Sequence, residues 1–168
     1  MNFYRTLIVC IVFIQVVSLL SQDSTLFQFQ MEDQFSEDHQ YKDYIGKVLI
    51  IVGSDREGSR YNEIWSFAIH DSLKIYQLQD SVTFIAVANV KGVPRLLRGF
   101  VRGKFPRQKN HRILMDWKGE FARTYQYEPE ATNILLIDRE GKLLHQLHGT
   151  QLRPEAVSRI VSKIVVLF

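Results

Sequence analysis

Residues 54–63 (SDREGSRYNE) gather hydroxyls, carboxylates and two guanidinium groups where a strand is expected to hand over to a helix. At such a junction the first backbone N–H groups of the helix lack partners and attract anions. Arg56 and Arg60 would add charge, while Ser54, Asp55, Ser59, Asn62 and Glu63 would supply hydrogen-bonding groups. The window therefore suits weak binding of a sulfate, phosphate or carboxylate. The same residues also describe a capped helix start, with Ser59 as the cap and Asn62 and Glu63 solvated or reaching back to it. Catalysis by Ser54 or Ser59 would need a base, and no histidine lies near in sequence.

Thiol chemistry is missing from almost the whole chain. The one cysteine, Cys10, lies inside the apolar run 7–20 (LIVCIVFIQVVSLL). Disulfide exchange and peroxide reduction proceed through a thiolate, and no other side chain replaces it. Metal chemistry finds no better support among the five histidines. His39, His70 and His111 are isolated, and His145 and His148 stand three apart on an expected strand, so they point to opposite faces. A metal needs three or four convergent ligands, so neither a metal site nor a cofactor is expected.

Between Lys91 and Arg112 stand eight Lys/Arg and no acid. On a helix opened by Pro94, Arg95, Arg98 and Arg102 fall in one stripe, with Leu96, Leu97, Phe100 and Val101 opposite. That spacing predicts a basic outer face. It would be simply solvated, or docked on an acidic partner, on anionic lipid or on the chain's own acidic 23–43 segment. Aromatics do not interleave with the bases on that face, which argues against nucleic acid.

The elements around these residues follow from hydropathy. Runs 47–52 (KVLIIV) and 82–90 (VTFIAVANV) read as buried strands, with a helix over 60–76 between them. A right-handed crossover should make them parallel neighbours. Residues 113–115 form a further strand before the Asp116-Trp117-Lys118-Gly119 turn and a short helix through 120–125. Runs 132–138 and 142–148 form a hairpin, and Pro154 starts a last helix with Ala156, Val157, Ile160, Val161 and Ile164 on one face.

At the other end, Arg5, the apolar run and the polar exit Ser21, Gln22 and Asp23 match a secretory signal covering 1–21. That run of fourteen residues falls short of the about 20 that span a bilayer, although retention as an N-terminal anchor is the alternative. Removing 1–21 takes away Arg5 and no acid, so the formal charge falls from +3 to +2. Residues 22–44 are an acidic extension interrupted by aromatics, either with Phe27-x-Phe29 alternating like a short edge strand or as a solvated tether with a few docked aromatics. The remainder, 45–168, is long enough for one domain stable without disulfides.

Three segments, in order, resemble the redoxins of the thioredoxin-like superfamily. They are Gly46-Lys47 before an apolar strand, 113–127 (ILMDWKGEFARTYQY) and 134–149 (ILLIDREGKLLHQLHG). The resemblance implies an α/β thioredoxin-like fold: a central mixed sheet of about five strands flanked by helices, ending in a β-hairpin and a helix. Within the superfamily the chain is most similar to the YtfJ-like exported proteins, which also lack a redox motif. Gly53, Pro94 leading to Phe100-Val101-Arg102, and Gly149, Leu152 and Glu155 carry that finer likeness.

Two departures from the superfamily matter. The window that holds the nucleophilic cysteine in thioredoxins falls on 55–61 (DREGSRY), which has no thiol. The cis-proline slot opposite falls on Thr132, with Pro129 three residues earlier, and a cis peptide is essentially a proline feature. Thr132 and Asn133 should face the 54–63 window across the former cleft. The resemblance implies an exported, periplasmic or secreted pseudoenzyme: a non-catalytic binding or structural module whose partner is an envelope protein or another acidic surface. Membrane contact is expected only if the N-terminal segment stays. The alternative is a redoxin-type oxidoreductase or antioxidant accessory whose thiol comes from a partner.

Overall fold

The computed structural model of the chain describes residues 28–108 and 111–168. The run 7–20, Cys10 and Phe27 lie outside the described residues, and no described helix is long and apolar enough to cross a membrane. Five strands form the main sheet: β3 (Val48–Ser54), β4 (Val82–Asn89), β5 (Ile113–Asp116), β6 (Thr132–Ile137) and β7 (Leu143–Gly149). Their spatial order is β5-β4-β3-β6-β7. β3, β4 and β5 run parallel, whereas β6 is antiparallel to β3 and β7 to β6. The two apolar runs are therefore parallel neighbours, and the C-terminal hairpin stands at one sheet edge.

Every residue of β3 is buried because helices or loops cover both of its faces. On one face Val48, Ile50 and Val52 meet Trp65, Ile69 and Leu73 of α1 (Asn62–Lys74) and Val157, Ile160, Val161 and Ile164 of α4 (Pro154–Val165). The helical period places the four α4 residues on one stripe, and each buried side chain contributes roughly 1.5–3 kcal/mol. On the other face Leu49 and Ile51 meet Ile85, Val87, Leu114 and Phe121, the last on α3 (Glu120–Thr124). His145 projects toward α4, where burial, then Lys163 and Arg159, lower its pKa.

The second layer is completed by the acidic segment. Phe29 and Met31 bury into it, and β1 (Gln30–Glu32) pairs antiparallel with β2 (Asp38–Gln40). The short strand expected around Phe27 and Phe29 thus begins at Gln30. Asp33 and Gln34 continue along β5 and cover its free edge: Gln34 N–H donates to the Ile113 carbonyl (3.1 Å), and Ile113 N–H donates to Gln34 Oε1 (2.9 Å).

Asp33 anchors this edge. Its fully buried carboxylate accepts from Phe35 N–H, Glu37 N–H, His39 Nε2 and Arg112 Nη1, and Arg112 also pairs with Glu37. Asp33, Glu37 and His39 converge closely enough to hold a cation, but the guanidinium of Arg112 already bridges both carboxylates.

Burial alone would raise the Asp33 pKa, but the donors of Glu37, Arg112, Phe35 and His39 outweigh it and leave it lowered. A carboxylate with a depressed folded pKa stabilises fully above its unfolded value of about 3.9, and that stability is lost as pH falls through the folded value. Asp33→Ala should cost about 3 kcal/mol in urea unfolding at neutral pH. The loss should shrink at pH values below the folded pKa, and a pH-independent loss would show that the ionised form is not what anchors the edge.

Candidate functional site

Parallel strands of an open α/β sheet present binding groups at their carboxyl ends, here Ser54, Asn89 and Asp116. At the first of these the chain turns sharply. Asp55 receives Ser59 N–H on its backbone carbonyl (3.1 Å) and Gly58 N–H on Oδ1 (2.8 Å). This is N-cap geometry, and Glu57 already has helical backbone angles. The cap is therefore Asp55, and not Ser59, which is exposed and donates its hydroxyl to the Arg56 carbonyl (2.6 Å).

The other oxygen of the Asp55 carboxylate reaches across the cleft. Oδ2 accepts Glu130 N–H at 2.8 Å, so one side chain joins the helix start to the loop before β6. The approach is close: a Cβ on Gly58 would sit on the backbone of Ala131. One N–H group of the turn that could hold an anion, that of Gly58, is thus taken by the chain's own carboxylate. Arg56 and Arg60 are exposed; Arg60 lies over the Tyr61 ring at 5.0 Å, and Glu63 is exposed as well. Asn62 is not simply solvated, since its Nδ2 donates to buried Ser54 Oγ at 2.9 Å.

Thr132 and Asn133 do not both face the window. Gly53 pairs with Asn133, so the antiparallel register sets Ser54 beside Thr132 on the α1 face of the sheet. Thr132 is fully buried, and its Oγ1 has no hydrogen-bond partner among the described residues. Asn133 points the other way and serves its own loop. Its Oδ1 accepts Glu128 N–H (2.7 Å), and its Nδ2 donates to the carbonyls of Glu128 (3.0 Å) and Ala131 (3.1 Å). No peptide among the described residues is cis.

Tyr127 escapes the sequence reading. Its hydroxyl end lies against Gly53, where a Cβ would overlap the ring. Burial, then Asp116 and Tyr125, raises its pKa well above the ordinary tyrosine value. The hydroxyl has no partner among the described residues and stays protonated at neutral pH. Only the glycine at the end of an otherwise bulky strand hints at it.

Two of the three bases in the expected stripe, Arg98 and Arg102, are turned the opposite way from expectation, while Arg95 stays exposed. Arg95–Leu97 is a short 3-10 turn leading into α2 (Arg98–Arg102). Arg98 and Arg102 face inward over the Trp117 ring, at 4.9 and 5.2 Å from its centroid, and Arg102 is also paired with Glu32. Leu96, Leu97 and Phe100 face solvent in their place. Trp117, held at the end of β5 by the Asp116 turn, offers the guanidinium groups an aromatic face worth about 0.5–2 kcal/mol each. Asp116 fixes that turn by accepting Glu120 N–H (3.0 Å) and Ala122 N–H (2.9 Å). Next to it a groove of about 580 Å³ runs between β1 and α3, with Glu32, Asp38, Arg98 and Trp117 among its lining.

No family model matches the sequence, and no curated protein is similar to it. Solved structures do match. The exposed lipoprotein thioredoxin Etrx1 of Streptococcus pneumoniae is 19% identical with a TM-score of 0.56, over 81% of this chain and 98% of that one. A SCO1/SenC family lipoprotein of Bacillus anthracis is 16% identical with a TM-score of 0.56, over 84% and 94%. The reduced 2-Cys peroxiredoxin of Plasmodium vivax is 17% identical with a TM-score of 0.55, over 82% and 92%. The fold is thioredoxin-like, with no cysteine anywhere in residues 28–168.

Asp55→Ala should destabilise the domain by about 1–2 kcal/mol through loss of the cap and its second hydrogen bond. It should also uncover the N–H groups of Gly58 and Glu130, so that phosphate raises the melting temperature of this variant and not of the parent. A parent that phosphate stabilises, with the effect removed by Arg56→Ala and Arg60→Ala together, would mean that the window binds anions as it stands.

Proposed function

We propose that the chain is an exported, non-catalytic binding module on a thioredoxin-like scaffold, akin to the YtfJ-like exported proteins. The observation that carries this reading is the double use of Asp55. Where the superfamily resemblance puts a nucleophilic cysteine, a carboxylate holds one backbone N–H from each side of the cleft. A carboxylate cannot attack a disulfide or a peroxide as a thiolate does. The closed cleft also speaks against an accessory role in which a partner's cysteine works at this position, because Glu130 and Ala131 already lie against the turn. The run 7–20 between Arg5 and Ser21 supports export. The partner would then be an envelope protein, captured by cross-linking in that fraction.

Purified protein supplied with dithiothreitol should reduce neither insulin nor hydrogen peroxide above the rate without protein, and Cys10→Ser should behave identically. Turnover that survives Cys10→Ser would overturn the non-catalytic reading. Mass spectrometry of the chain recovered from an exporting cell should show loss of roughly residues 1–21. An intact Met1 on cytoplasmic protein would overturn export and leave the catalytic question untouched.

A further inference from the structure

The inverted α2 leaves a surface that the non-catalytic reading does not use. Leu96 is 97% exposed, Phe100 66% and Leu97 51%, side by side on one short segment. A soluble helix of this composition normally buries those three residues. Here it cannot, because the Arg98 and Arg102 stack on Trp117 and the Arg102–Glu32 pair hold the opposite face against the domain.

Bases surround the apolar cluster. Arg95, Lys104 and Arg107 are exposed, and Lys104 Nζ lies 4.7 Å from the Phe100 ring centroid. No acid occurs between Lys91 and Arg112 to repel a negative surface. Leucine and phenylalanine at the tip with lysine and arginine at the rim is the composition that enters the headgroup boundary of an anionic bilayer. A second copy docking by the same patch would set Arg95, Lys104 and Arg107 against their own equivalents.

We propose that residues 95–107 form a membrane-docking edge in which Leu96, Leu97 and Phe100 insert into an anionic phospholipid surface and Arg95, Lys104 and Arg107 hold its headgroups. This contact does not depend on retention of the N-terminal segment.

The test is local, so that the run 7–20 does not obscure it. In the full chain carrying Cys10→Ser, Leu96→Cys is labelled with nitrobenzoxadiazole. A second protein carries the label through Ile75→Cys, an exposed position at the far end of α1. With vesicles of phosphatidylglycerol and phosphatidylcholine, the label at 96 should brighten and shift to the blue, salt should reverse the change, and the label at 75 should not respond. Arg95→Glu, Lys104→Glu and Arg107→Glu together should weaken the apparent affinity on the order of a hundredfold. An unchanged signal at 96 would overturn the proposal, as would an equal response to phosphatidylcholine alone. A blue-shifted label before any lipid is added would also overturn it: a second copy is the occupant if dilution removes the shift, and the chain's own N-terminal segment if it does not.

Discussion

The carboxylate of Asp55 takes one backbone N–H from Gly58, in the turn that leads into α1, and one from Glu130, in the loop before β6. Much of the site's arrangement follows from this two-sided bond. The turn can close that tightly only because residue 58 is glycine, with Ala131 packed where a side chain would begin. With the loop drawn in, Asn133 is committed to Glu128 and Ala131, and Thr132 is enclosed on the α1 side beside Ser54. Thr132, Trp65 and Asn62 each keep a buried polar atom without a partner among the described residues.

The centre of the sheet was legible in the sequence because β3 and β6 bury apolar residues in unbroken runs. The α4 stripe was legible for the same reason at a different period. The edge hairpin was not: β1 and β2 are three residues each, QME and DHQ, with no apolar run. They pair because Asp33 is held beneath them by Arg112, more than seventy positions away. That information lies in a tertiary ion pair, and no local pattern carries it.

Two other errors share a cause. Ser59 and Asp55 are both good caps on local grounds, and the choice is made by Glu130, which offers its N–H only to a carboxylate long enough to reach it. The stripe of Arg95, Arg98 and Arg102 also looked outward-facing by composition. The orientation of Arg98 and Arg102 is decided by Trp117, whose indole face takes both guanidinium groups, while Arg95 stays exposed. In both cases a distant residue overrides the pattern of the segment itself.

The scaffold's electrostatics explain why the thiol can be missing without the fold suffering. A helix start carries partial positive charge and unpaired N–H groups whatever chemistry is done there. In a thiol enzyme that field lowers the pKa of a cysteine and the anion remains a nucleophile. Here the demand is met by a carboxylate that is hydrogen-bonded on both oxygens. A carboxylate so held supplies acceptors to N–H groups on both sides of the turn and offers no thiol nucleophile. With Glu130 and Ala131 drawn against this turn, the exposed apolar side chains Leu96, Leu97 and Phe100 lie elsewhere, beside α2.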